Sequence, residues 1–297
     1  MDFRNQKALL VINPVAGRMQ IQRYLTQIIR KLMDRGYLVT TAVTAARDEA
    51  RELIARSGED YDLLVCAGGD GTLNECVTGM AESGIGRPLG YIPCGSTNDF
   101  AATHGLQDDI LLAAEAVAQG RKRQFDVGCF SERIFLHHAL FGAFTWMAYS
   151  TDQEQKNKLG YGAYILDGIK GLSKVKPIPL AITADGVKTE GEYLFGTLST
   201  NRFIAGIYEL PETMIGDNDG KLAAVLIQPP KSVMDFDALA RSILNGDPKC
   251  PGIRILTAEE LIIESPEGVE WSLDGESSGL RTRAEIRAKK AFLTLQG

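Results

Sequence analysis

Gly68-Gly69-Asp70-Gly71-Thr72-Leu73-Asn74-Glu75 follows an apolar run, Leu63 to Ala67, and leads into a stretch from Leu73 to Glu82 with helical spacing. A strand that turns through glycines directly into a helix brings backbone close to an anion. It also aims the unpaired amides and positive end of the helix at that anion. The spacing therefore predicts a phosphate cradle. A plain tight turn could use Gly-Gly-Asp-Gly, but it would have no need of the Thr-Leu-Asn-Glu that follows.

Outward from this octet, short apolar runs alternate with amphipathic stretches. Strands are predicted at Ala8 to Asn13, Leu38 to Val43, Leu63 to Cys66 and Leu89 to Ile92. Ile21, Leu25, Ile28, Ile29 and Leu32 recur at helical spacing, Gly36 suits the C-cap, and a second helix is expected from Glu49 to Arg56. Strand-helix alternation of this kind predicts an α/β domain with a mainly parallel sheet over residues 1–125.

After Arg121 the signals become those of hairpins: Ser131-Glu132, Asp185-Gly186 and Pro266-Glu267-Gly268 each separate runs suited to strands. A largely antiparallel second domain is expected over 126–297, with helices at Lys158 to Lys174 and Val233 to Leu244. The final strand, about 289–297, is free to return to the first domain.

A formal net charge of -6 argues against a nucleic-acid partner, which requires a basic face. Membrane contact would have to use a local patch, either Arg121, Lys122 and Arg123 or the tail cluster Arg281, Arg283, Arg287, Lys289 and Lys290. More often such runs are solvated surface. The five cysteines form no CxxC pair and fit a reducing cytosol, and no segment has the roughly 20 apolar residues needed to span a bilayer. His104, His137 and His138 lack metal spacing and are expected to be structural.

Three further motifs stand in order along the chain: Asn13-Pro14-Val15-Ala16-Gly17 after the first strand, Ile92 to Phe100 after the fourth, and Trp271-Ser272-Leu273-Asp274-Gly275-Glu276 near the end. Together with the glycine-rich octet they resemble the diacylglycerol kinase catalytic family, which includes sphingosine and ceramide kinases. They correspond to its GGDGTLNE, NPxxG, PxGTxNDF and LDGE motifs, spread over nearly the whole chain. The stretch from Gly142 to Leu172, with Lys156, Lys158, Gly160 and Tyr164, also follows the family pattern.

The resemblance implies a three-layer, NAD-kinase-like α/β domain followed by an antiparallel β-sandwich, with the active site in the cleft between them. It implies an ATP- and Mg2+-dependent lipid kinase acting on the hydroxyl of a lipid alcohol such as diacylglycerol. The enzyme would be cytoplasmic and touch the membrane surface transiently; dimers among relatives leave room for a homodimer. Nucleotide contacts would come from Asn13, Pro14, Gly17, Thr44, Gly68, Gly69, Asp70, Gly71, Thr72, Asn74, Glu75 and Ser96. Ser96 stands where the family has threonine, so a hydroxyl is kept. Asp70 would hold the catalytic Mg2+, and Glu276 would be the base that takes the acceptor proton. Asp219, with the main-chain oxygens of Gly216 and Lys221, is the implied structural Mg2+ site, although Asp217-Asn218-Asp219-Gly220 also reads as an Asx turn. Without the family match, Asp274-Gly275 reads as a hairpin turn and Asp70 as a helix cap. NAD kinase shares GGDGT but pairs it with a further Asn-Glu and a downstream aspartate that this sequence lacks. A nucleotide-binding regulator without turnover is the other alternative, and the intact Asp70 and Glu276 weigh against it.

Overall fold

The computed structural model describes residues 6–17, 21–142, 176–204 and 208–297. The helix predicted at Lys158 to Lys174 and the family-like Lys156, Lys158, Gly160 and Tyr164 lie outside them. The protein is mixed α/β and divides into two compact units, Met1–Phe125 with Ala291–Gly297, and Asp126–Lys290.

In the first unit β1 (Gln6–Ile12), α1 (Ile21–Asp34), β2 (Tyr37–Val43), α2 (Glu49–Ser57), β3 (Leu63–Gly68), α3 (Asp70–Ser83), β4 (Leu89–Pro93), α4 (Asp99–Thr103) and α5 (Ile110–Gln119) follow in turn. The strands are parallel in the order β4-β3-β1-β2. The last residues of the chain extend this sheet, with Leu295 beside Leu89 and Gln296 beside Gly90. β3 and β4 are buried along their whole length because helices cover both faces. Leu10, Ile12, Leu63, Val65 and Ile92 pack under α1 and α5. The alternate residues Leu9, Val11, Leu64 and Cys66 are equally buried, on the side of α2 and α3. Each such aliphatic side chain contributes roughly 1.5–3 kcal/mol when fully buried. β2 is the exposed edge, with Leu38 65% accessible.

The second unit takes up β5 (Lys122–Phe130) from Asp126 onward. It continues with β6 (Arg133–Phe135), β7 (Ala139–Gly142), β8 (Ile178–Ala184), β9 (Val187–Tyr193), β10 (Phe195–Ser199), β11 (Phe203–Ile204), β12 (Tyr208–Glu209), β13 (Leu222–Ile227), α6 (Val233–Asn245), β14 (Ile253–Ala258), β15 (Glu260–Leu273) and β16 (Glu276–Gln296). A run of antiparallel strands, β14-β13-β10-β7-β15-β16, forms its backbone. β13 shows why it packs as it does. Leu222, Ala224 and Leu226 join a core with Phe141 and Trp271, while Ala223, Val225 and Ile227 join a second core under Leu239 and Ile243 of α6. Trp271 anchors the first core with its ring 4.9 Å from those of both Phe130 and Phe141.

Ser131-Glu132 and Asp185-Gly186 close two-residue hairpins, with Phe130 opposite Arg133 and Ala184 opposite Val187. Pro266-Glu267-Gly268 does not. It lies within β15, where the register against β16 jumps between Glu264 and Val269, so the proline and glycine mark a bulge in a long strand rather than a turn. Two of the five basic residues of the tail cluster are paired with acids. Arg287 faces Glu260 and Arg283 faces Glu264 across the strands, and Arg283 also binds Glu285 at 2.8 Å, so three acids offset two of its arginines.

The joint between α2 and α3 depends on Gly79. A Cβ at that position would fall 2.4 Å from the carbonyl oxygen of Arg51. Alanine there would gain helix propensity yet force two backbones apart, so Gly79→Ala should destabilise the protein by about 1–3 kcal/mol in urea unfolding. Gly86→Ala, with nothing near its added Cβ, should leave the midpoint unchanged.

Candidate active site

Three loops leave the carboxyl ends of adjacent parallel strands in the first unit: residues 13–17 after β1, 68–72 after β3 and 94–98 after β4. In an open parallel sheet this is where ligands bind. The loops touch through backbone. Gly17 has φ of +55°, and a Cβ on it would lie 2.5 Å from the Cys94 carbonyl oxygen. A Cβ on Gly95 would lie 2.5 Å from the Cα of Gly69, and one on Gly68 would strike Thr72 at 2.5 Å. The Asn13 amide group donates to Thr72 Oγ1 at 3.0 Å, while its Oδ1 accepts from the Val15 amide at 3.1 Å. Gly71 is the exception, since a Cβ there would meet nothing within 4 Å. α3 thus begins with a side-chain-free N-cap, Gly69, and an open face at Gly71.

Asp70 has a structural task in this arrangement. Its Oδ1 accepts from the Phe100 amide and its Oδ2 from the Asp99 amide, each at 3.0 Å, so it caps α4. Asn98 occupies the N-cap position of α4 in the left-handed region (φ 54°) and turns its side chain back instead, accepting from the Gly95 amide at 2.8 Å. Asp70 therefore caps a neighbouring helix rather than its own. Thr44 is buried with its hydroxyl 3.3 Å from the Ile12 carbonyl. The Glu75 carboxylate accepts from the Ala50 amide at the start of α2, and burial pushes its pKa up. Asn74 Oδ1 accepts from the Thr78 hydroxyl one turn along α3. Pro14 is half-buried and Ser96 is exposed.

In the second unit Asp274 (φ 48°) and Gly275 (φ 87°) form a two-residue hairpin with Leu273 opposite Glu276. Positive φ at both positions is what the tight hairpin twist demands, hence aspartate followed by glycine. The Asp274 carboxylate accepts three amides, from Leu136 at 2.7 Å, His137 at 2.9 Å and His138 at 3.0 Å. Glu276, the first residue of β16, is exposed. His138 Nδ1 is buried without a partner, and desolvation, aided by the neighbouring His137, pushes its pKa down to about 3. His104 is packed between Phe100 and Phe125, with ring centroids 4.5 Å from each.

Residues 216–221 make a closed turn in which Asp219 accepts from the Gly216 amide at 2.8 Å and the Lys221 amide at 2.9 Å. The buried Asp126 accepts from the Gly220 amide at 2.6 Å and donates its own amide to the Asp217 carbonyl. Among the described residues no group of three or more His, Cys, Asp or Glu side chains is arranged to hold a metal. A divalent cation can also be held by carboxylate oxygens together with main-chain or ligand oxygens. Asp70 and Asp219 each suit that use, because a carboxylate oxygen that accepts one amide keeps a second lone pair.

Residues 7–130 match the diacylglycerol kinase catalytic domain. A diacylglycerol kinase of Bacillus subtilis strain 168 is 31% identical over 279 residues, covering 93% of this chain and 91% of that protein. The chain belongs to the diacylglycerol kinase family. A Staphylococcus aureus diacylglycerol kinase, strain MRSA252, is 30% identical over 92% of the chain. The crystal structure of a diacylglycerol kinase from Bacillus anthracis strain Sterne superposes with a TM-score of 0.79 at 27% identity, covering 99% of this chain and 97% of that one. No described helix is long and apolar enough to cross a membrane.

Within this family member the structure brings Asn13, Gly17, Gly68, Gly69, Asp70, Gly71 and Thr72 into one loop cluster with Gly95. Glu276 and Asp219 belong to the other unit. Sequence reasoning read Asp70 as a cap of the helix that follows it and missed the amides that Asp70 and Asp274 hold, because each carboxylate reaches amides at least 29 residues away. It also missed Asp126, an isolated acid with no motif around it. The lowered pKa of His138 has a measurable consequence. The folded protein holds this ring neutral, so its contribution to stability is whole above pH 6.5 and is lost as pH falls toward 3. Between pH 7 and 5, His138→Gln should lose roughly 2 kcal/mol less unfolding free energy than the wild type in urea titrations.

Proposed function

We propose that this protein transfers the γ-phosphoryl group of ATP, with Mg2+, to the hydroxyl of a lipid alcohol of the diacylglycerol class. The observation that carries the reading is the open face at Gly71, at the start of α3 and between backbone-packed loops. An anion there would meet helix amides and a positive dipole end without displacing any side chain. The first unit then holds the nucleotide and the second the lipid, whose membrane origin implies transient contact with the bilayer surface.

Each residue has a role in this reading. Gly17, Gly69 and Gly95 keep the loops close enough for the phosphates to lie on backbone. Asn13 and Thr72 lock the first loop to α3, and Thr44 and Ser96 lie at the strand ends beside them. Mg2+, when bound through Asp70, would offset charge on the β- and γ-phosphates. Asp219, with the main-chain oxygens of Gly216 and Lys221, is carried as a second, structural Mg2+ position. Glu276 accepts the proton of the acceptor hydroxyl as its oxygen bonds to the γ-phosphorus and the bond to ADP breaks. Glu276 follows the hairpin of Asp274 and Gly275 as the first residue of β16.

Two measurements test the reading. Gly71→Ala should leave thermal stability unchanged or slightly raised, because the new methyl meets no protein atom, yet weaken ATP binding at least tenfold in calorimetry. Unaltered ATP affinity would remove the phosphate cradle. In a radiolabelled-ATP assay over a panel of lipid alcohols and NAD, the wild type should label a lipid and leave NAD unlabelled. Asp70→Ala and Glu276→Gln should both lose transfer by about 100-fold or more, consistent with removal of one catalytic group. Glu276→Gln should still bind nucleotide. A wild type that binds ATP and labels nothing would leave the regulatory reading in place.

A further inference from the structure

One face of the second unit's sheet carries a row of hydroxyls that the roles above do not use. Across the strands Ser272 of β15 stands opposite Leu140 of β7, and Leu140 stands opposite Thr197 of β10. On the far side of Ser272 comes Ser277 of β16, the residue after Glu276. Residues directly opposite in antiparallel pairs share a face, so Ser277, Ser272, Leu140 and Thr197 form one line. With strands about 4.8 Å apart, the line is roughly 14 Å long. It begins beside the Glu276 hairpin and continues into apolar Val225 of β13, which faces α6.

Ser272 is 0% and Thr197 1% exposed, and Ser272 Oγ and Thr197 Oγ1 are buried with no hydrogen-bond partner. Leaving such a group unpaired costs about 1–3 kcal/mol. Alanine and valine, of nearly the same shape, would avoid that cost. The opposite face of the same strands carries Phe141, Leu198, Trp271 and Leu273 in the apolar core. Two hydroxyls kept unpaired in a row that starts at the base are arranged for a ligand with oxygen atoms at one end and hydrocarbon beyond.

We propose that Ser272 and Thr197 position the acceptor by hydrogen bonding to oxygen atoms of the lipid's polar neck, the ester carbonyls or second hydroxyl next to the hydroxyl that is phosphorylated. Leu140, half-buried between them, then takes the start of its hydrocarbon chains. The inference deepens the proposed function and rests on it for the identity of the acceptor. Both hydroxyls are buried, so the lipid neck reaches them by displacing whatever covers that face and pairs the two hydroxyls in return.

The test uses the full chain as wild type, Ser272→Ala, Thr197→Val and Thr197→Ser. It follows transfer to dioctanoylglycerol in mixed micelles, calorimetric binding of dioctanoylglycerol without ATP, and thermal unfolding. Ser272→Ala and Thr197→Val should each raise the KM for dioctanoylglycerol about tenfold, as expected for one lost hydrogen bond. The KM for ATP should stay within twofold and Tm should be equal or higher. Thr197→Ser, which keeps the hydroxyl, should behave as wild type. An unchanged lipid KM in both variants, or a parallel rise in the ATP KM, overturns the assignment, as does a lowered Tm that accounts for the loss. If the wild type binds dioctanoylglycerol and the two variants bind it more weakly, yet no protein transfers phosphate, the subsite stands and the kinase reading falls. Absence of both binding and transfer in the wild type overturns the two together.

Discussion

Carboxylates that accept pairs and triplets of backbone amides hold the loops of this protein in place. Asp70 takes the first two amides of α4, and Asp274 takes three successive amides of residues 136–138. An ionised carboxylate bonded to amides is among the stronger neutral-donor arrangements available, and a loop held this way needs no regular structure of its own. Asp219 repeats the device around residues 216–221, where Asp126 accepts one further amide, that of Gly220. Removing Asp70, Asp219 or Asp274 would leave two or three amides without this acceptor, a larger loss than a typical surface change.

The second constraint is the absence of side chains where the loops of the first unit meet. Gly17 lies on the Cys94 carbonyl, Gly95 on Gly69, and Gly68 on Thr72. Three of these contacts would become overlaps with one added carbon, so the cradle is as much a product of close packing as of chain flexibility. Gly71 differs in kind. Its missing side chain faces open space, so of these four glycines it alone is not dictated by contacts within the loop cluster.

In the second unit, burial and hydrogen bonding do not coincide everywhere. The His138 ring and the hydroxyls of Thr197 and Ser272 are enclosed without partners, although apolar residues would fill the same volumes at lower cost. These groups lie on or near the strands that lead to the Asp274-Gly275 turn. Local conflict with stability is what sites of function show more often than ordinary core does.

Much of this was legible in the residues. Alternating apolar and amphipathic runs specified the parallel sheet and its helices because burial on both faces leaves no room for polar alternation in β3 and β4. The two-residue hairpins were readable because positive φ restricts the choice of residues. The Pro266-Glu267-Gly268 segment was misread because the same residues serve a turn and a bulge, and only the pairing of β16 on both sides tells them apart. The register likewise set glutamates opposite Arg283 and Arg287 of the basic tail, a pairing that local sequence does not encode. The sequence by itself determined the motifs, the strand and helix plan and the glycine cradle, all of which depend on neighbours along the chain. Tertiary structure alone decided which helix Asp70 caps, which amides Asp274 holds and which hydroxyls share a face, because those depend on through-space partners that no local pattern encodes.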